Sequence, residues 1–233
     1  MVAPVTRATQ SLLLTVTGIV LLRMAIGDTF LRYVNEWMRW PLIACGVVLI
    51  LLAVLEAWRA SDQDADHDGE STHVPRAAWL LFAPSLVFFL VAPPALGADF
   101  AQRAQTVQVP DDPSEVDLPP LPADDPLPIV LDEVMYRAAY DEGETLVDRR
   151  LELTGFVSHD DKGWYVTQFS MSCCAADAFV TQVRASGADA PPDDQWVKVV
   201  GTHVAGTGNE GRSLPEVAVE SVELIEAPRN QYR

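Results

Sequence analysis

The sequence predicts an α+β membrane protein: an N-terminal transmembrane region of three helices, a Pro/Asp-rich linker and a small C-terminal OB-like β-barrel with one helix. Three observations carry this. Apolar runs at about 12–27, 41–58 and 77–96 fill the first 97 residues. Each approaches the ~20 residues that cross a ~30 Å hydrocarbon core as a helix, and none alternates as a barrel strand would. From residue 150 the apolar period changes to two, over five short segments. Between these parts lies a stretch rich in proline and acid.

Charge divides the chain at the same place. The net charge is −17, and residues 98–233 hold 25 acids against 10 bases, while residues 1–97 hold 8 against 6. So acidic a tail offers no Lys/Arg cluster to nucleic acid or anionic lipid; cations or a basic partner suit it better.

The first run has only Arg7 before it, lacks a small-residue cleavage site and has two further runs behind it, so it is not a cleavable signal. Arginines tie across the membrane, Arg7, Arg59 and Arg76 against Arg32, Arg39 and Arg103, and the amino terminus tips the balance inward. Three spans then place the tail outside the cytoplasm, in a multi-pass protein of the plasma membrane. Phe30, Tyr33, Trp37 and Trp40 recur at near-helical spacing with Arg32 and Arg39, which predicts an interfacial helix over 28–40, in contact with membrane lipid. Arg23 is expected to snorkel or to pair with Asp28. Pro84 and Pro93-Pro94 kink or end the third span. Three spans with one internal charge make a poor transport path alone, which points to an accessory subunit.

The loop after the second span, residues 61–73, places carboxylates at every second position and carries His67 and His73. An EF-hand loop needs glutamate at its twelfth position; from Asp62 or Asp64 that position is His73 or Pro75. Carboxylates with two histidines suit loose zinc binding, and the plainer reading is a solvated acidic hairpin.

Residues 98–128 contain seven acids and seven prolines and are expected to form a semi-rigid spacer. The folded tail, 129–233, opens with Leu131, Val134, Met135, Ala138 and Ala139 on one helical face, with Asp132 as N-cap and Gly143 as terminator. Strands are predicted at 150–158, 164–169, 179–184, 196–204 and 217–225, the first two joined by an Asp160–Gly163 turn. Leu151, Leu153, Gly155 and Val157 should face one side, and Glu152, Thr154, Phe156 and Ser158 the other.

Between the second and third strands stands Met171-Ser172-Cys173-Cys174-Ala175-Ala176-Asp177-Ala178. The adjacent cysteines are two free thiols, a strained vicinal disulfide, or two thiolates for one soft or borderline metal. Asp177 supplies a carboxylate nearby, and His159 and His203 fall on strands that approach it. Two small buried residues in a turn is the plain alternative. Hydrolytic chemistry lacks a nucleophile, base and orienter set, so no enzyme is expected.

This stretch resembles the cysteine-pair motif of a bacterial membrane family labelled YcgQ-like. The resemblance extends to residues 22–34 (LRMAIGDTFLRYV), 153–157 (LTGFV) and 196–201 (WVKVVG). It implies an accessory partner of a multi-span YcgR-like permease in a zinc-responsive setting. Relatives carry a histidine-rich stretch after the second span, where this chain has mainly aspartate. The combined expectation is a permease subunit whose acidic domain binds or hands over a cation such as zinc through Cys173, Cys174 and Asp177. A non-catalytic scaffold and a surface thiol redox protein are the alternatives.

Overall fold

The computed structural model describes residues 7–63, 95–106, 109, 116–209 and 213–232. The chain divides into two compact units, one carrying the two long helices and the other joining Tyr33–Asn35 to everything from Ala95 onward. His67, His73 and the acidic loop around them lie outside the described residues, as does nearly all of the third apolar run.

In the first unit, α1 (Arg7–Ile26) packs along α2 (Arg39–Gln63). A Cβ on Gly18 would stand 2.8 Å from the Gly46 carbonyl oxygen, and one on Gly46 would stand 3.1 Å from that of Gly18. The helices therefore approach where both lack side chains, the small-residue contact by which apolar helices pack closely. Among the described residues one helix, Glu36–Arg59, is long and apolar enough to cross a membrane, with a mean hydropathy of 2.3. The apolar part of α1, Ser11–Ile26, is shorter. Trp37, Trp40 and Trp58 are exposed near the ends of the longer span, where amphipathic rings meet headgroups.

The expected interfacial helix over 28–40 is replaced by two 3-10 turns, Thr29–Arg32 and Glu36–Met38. The tripeptide between them, which belongs to the second unit, pairs its backbone with Cys173–Ala175, Val34 forming an antiparallel bridge with Cys174. Asp28 pairs with Arg39, whose guanidinium also lies 5.2 Å from the Phe30 ring centre; Arg23 is exposed.

Among its described residues the second unit contains one helix of more than a single turn, α3 (Leu131–Tyr140), and seven strands: β1 (Gln105–Thr106), β2 (Leu127–Pro128), β3 (Arg150–Asp160), β4 (Gly163–Ser170), β5 (Phe179–Ser186), β6 (Trp196–His203) and β7 (Glu216–Leu224). They form one sheet in the order β1-β5-β4-β3-β6-β7, with β2 parallel to β3. β5 also pairs with β7 in parallel, from Arg184↔Glu216 to Ser186↔Ala218, so five strands are joined in a ring. All five predicted strands appear, and Asp160↔Gly163 closes the expected hairpin.

Leu151, Leu153 and Val157 face a core completed by Val134, Leu146, Trp164, Val183, Val197 and Val217. Phe156 and Ser158, on the other side of the strand, are buried as well. A second cluster covers Phe156, built from Phe169, Met171, Trp196 and Tyr232 with Ala98 and Ala101 of a one-turn helix, Ala98–Ala101. The expected spacer therefore belongs to the domain at both ends. Its proline-rich half is gripped by arginines. Arg137 donates to the Pro119 carbonyl, Arg149 Nη2 to those of Pro122 (2.6 Å) and Asp124 (3.2 Å), and Arg150 lies 3.6 Å from Asp125. Proline lacks an N–H, so Pro119 and Pro122 donate to no ladder, and their carbonyls accept from guanidinium donors instead.

In α3, Leu131, Val134, Met135 and Ala138 are buried as expected. Asp132 is not the N-cap, a position held by Val130; its carboxylate accepts instead from the Thr181 hydroxyl on β5. Gly201 sits at a register shift between β6 and β7, where a Cβ would stand 2.4 Å from the Ala218 carbonyl oxygen and 2.7 Å from Val217 Cγ1. The Gly201→Ala variant is expected to lose about 2–3 kcal/mol, because a backbone oxygen cannot step aside as a side chain does. Thermal unfolding followed by near-UV circular dichroism reads this directly, and an unchanged midpoint would contradict it.

Candidate functional site

The loop between β4 and β5 is anchored at both ends, because Met171 and Ala178 are buried in the second cluster. What lies between must turn outward. Cys174 is extended (φ −157°, ψ 171°) and opens a 3-10 turn, Ala175–Asp177. The Asp177 carboxylate folds back over the turn and accepts from three successive amides: Ser172 (3.2 Å), Cys173 (2.9 Å) and Cys174 (3.3 Å). In return its own N–H donates to the Cys174 carbonyl at 3.0 Å.

Both cysteines are free and partly exposed, with their sulfurs 3.6 Å apart. The Cys173 thiol donates to Asp177, and ionising it beside that carboxylate and the second thiol is costly, so its pKa is pushed up to about 11. Asp177 is held below the usual carboxylate range by the same thiol and by the amides it accepts. A thiol kept protonated is a slow nucleophile, which is the reverse of what a turning-over redox catalyst needs.

The loop also holds the tripeptide Tyr33–Asn35. Val34 and Cys174 form an antiparallel bridge, in which the Ala175 N–H donates to the Tyr33 carbonyl (2.7 Å) and the Asn35 N–H to the Cys173 carbonyl (3.0 Å). The Asn35 side-chain amide donates to the Met171 carbonyl at 2.9 Å. This partner was not foreseen as part of the site, although it lies partly within one of the segments that carry the family resemblance.

The two histidines expected near the thiols do not join them. His159 Nδ1 lies 2.7 Å from Asp193. His203, at the end of β6, packs against Gly143, and neither of its ring nitrogens has a hydrogen-bond partner among the described residues. Burial lowers its pKa, with the Glu216 backbone and then Asp141 pulling the other way. Among the described residues, no group of three or more His, Cys, Asp or Glu is arranged to hold a metal ion. Elsewhere an open groove of about 680 Å³ is lined by Lys162, Tyr165, Arg184 and Glu216, with the Tyr165 hydroxyl donating to Asp160 at 2.7 Å.

Fold and loop together define a small β domain carried on a chain with a membrane-length apolar helix. Residues 132–233 match the DUF1980 C-terminal domain. Comparison with curated proteins and with solved structures finds no match to the chain.

Proposed function

We propose that this chain is a multi-pass accessory subunit of a YcgR-like permease in the plasma membrane, belonging to the YcgQ-like family. Its extracytoplasmic domain is an OB-like barrel, and Cys173 and Cys174 take up a soft or borderline cation such as zinc and pass it on. The observation that carries this reading is the 3.6 Å separation of two partly exposed sulfurs. Two thiolates on a tetrahedral zinc, with Zn–S near 2.3 Å, stand about 3.8 Å apart, so the pair is nearly at the required spacing. Both Asp177 oxygens already accept amides, and in this reading Asp177 holds the pair in place. Two thiolates leave half of a tetrahedral shell to incoming ligands, which suits transfer better than permanent storage. The ring of strands and the parallel β5–β7 pairing support the OB-like barrel, and the DUF1980 match supports the family.

A non-catalytic scaffold is the second reading, favoured by the loop's backbone pairing with Tyr33–Asn35. The full chain, purified in mild detergent after growth in zinc, decides between them. Near-stoichiometric zinc that is lost in the Cys173→Ser, Cys174→Ser double variant supports cation transfer. Metal-free wild type whose stability ignores a chelator leaves the scaffold. Co-purification of a larger membrane protein supports the subunit role in either case.

A further inference from the structure

We infer that the Cys173–Cys174 peptide is a redox-operated latch: joining the two sulfurs in a vicinal disulfide releases Tyr33–Asn35, the segment that covalently connects α1 to α2.

The geometry is specific. The loop holds this tripeptide through the Cys173 carbonyl, the Ala175 amide and the Met171 carbonyl, all within two residues of the thiol pair. The peptide unit between the cysteines does two jobs. Its carbonyl accepts the Asn35 N–H at 3.0 Å, and its N–H donates to Asp177 at 3.3 Å. A disulfide between neighbouring cysteines closes a small ring that contains this same peptide unit. Bringing the sulfurs from 3.6 Å to bonding distance must turn the unit away from the extended shape it has at Cys174. Oxidation also removes the thiol proton that Cys173 donates to Asp177, loosening the clamp that shapes the loop.

The electron count closes with a small disulfide such as oxidised glutathione as the oxidant. Cys174, whose sulfur accepts the Asp177 N–H and does not donate to its carboxylate as the Cys173 thiol does, attacks the oxidant and releases one glutathione thiol. Cys173 then displaces the second, forming the intramolecular bond. Two electrons pass to the oxidant, and the two cysteine protons leave with the two thiols. Partial exposure admits such an oxidant, and the strain of so small a ring keeps the bond easily reduced, as reversible switching requires. Slow attack by a protonated thiol is no obstacle to a switch that answers a change of environment once.

The latch does not depend on metal binding, and it is tested without metal. The full chain in detergent, freed of metal with a chelator, is treated with dithiothreitol or with oxidised glutathione. Mass spectrometry after alkylation reports the disulfide, and amide hydrogen exchange reports the peptides covering 33–35 and 172–177. Oxidation is expected to raise exchange at Asn35 and Ala175 by about tenfold or more, with β3–β7 unchanged and full reversal by dithiothreitol. Cys174→Ser should keep the slow exchange under both conditions. A disulfide that forms while exchange at 33–35 stays constant overturns the latch, as does failure of native protein to form the disulfide at all. Neither result bears on zinc uptake, which the chelator experiment judges separately.

Discussion

Arg137→Ala is expected to destabilise the β domain by about 3–5 kcal/mol, the loss typical of breaking a buried charge pair from one side. Arg137 is only 3% exposed. Its guanidinium reaches Glu133 through Nε (3.0 Å) and Nη2 (2.7 Å), Thr145 through Nη1 (3.3 Å), and the Pro119 carbonyl through Nη2. Alanine leaves a half-buried carboxylate and a carbonyl without these donors and opens a cavity beside α3. Arg137→Lys should recover only part of the loss, because one ammonium cannot reproduce a planar fork shared among three partners. Chemical unfolding of the full chain, followed by near-UV circular dichroism, measures the stability. Limited proteolysis within 116–122 should speed up in parallel, since that segment loses its anchor at Pro119. A loss below about 1 kcal/mol for the alanine variant would show that the network contributes little.

Asp177→Asn should make Cys173 up to about ten times more reactive towards iodoacetamide at pH 8. Removing the negative charge lets the thiol pKa fall from about 11 towards its ordinary value of 9.0. Cys174 and burial still hold the pKa up in this variant. The thiolate fraction therefore rises by up to about a hundredfold while the less basic thiolate is intrinsically slower by up to about tenfold, and about tenfold is the upper end of the net gain. The shape of the side chain is retained, so the change reads charge and not bulk. A rate within about twofold of wild type would mean that Asp177 does not control the thiol. The same carboxylate has a pH signature. Its pKa is lowered in the folded loop, so its stabilising effect is complete above the ordinary Asp range and is lost as pH falls through the lowered value. Hydrogen exchange at residues 172–174 should therefore stay slow through mild acid and rise only at lower pH, and Asp177→Asn should abolish that dependence.

The strands and α3 were legible because their signals are local. Alternation around Leu151, Leu153 and Val157 and the helical spacing of Leu131, Val134, Met135 and Ala138 report burial directly. The errors arose where the deciding contact is distant. Alternation places Phe156 on the second side of β3, and nothing nearby announces that Ala98, Ala101 and Tyr232 cover it there. The proline-rich stretch reads as a semi-rigid spacer, since the arginines that hold Pro119 and Pro122 lie 18 and 27 positions away. The cysteine pair was found from its sequence, but its partner at Asn35 is 136 positions from Met171, beyond any local pattern. Asp177 reads as a ligand from its type and its place three residues after Cys174; that same place, at the end of a single turn, turns it back onto the amides.

The ring of strands has a consequence for recognition. β5 gives one side to β4, and its other side is shared by β1 at Phe179 and Val180 and by β7 at residues 184–186. Between those two stretches α3 packs across the strand, with Asp132 taking the Thr181 hydroxyl. An unpaired strand edge is the usual template for an incoming peptide, for strand exchange and for amyloid-like stacking. This domain offers almost none among β3–β7, so a protein that binds it must read side chains and loops. The short backbone track beside Cys174 could have served an invader, and the chain's own Val34 already lies on it.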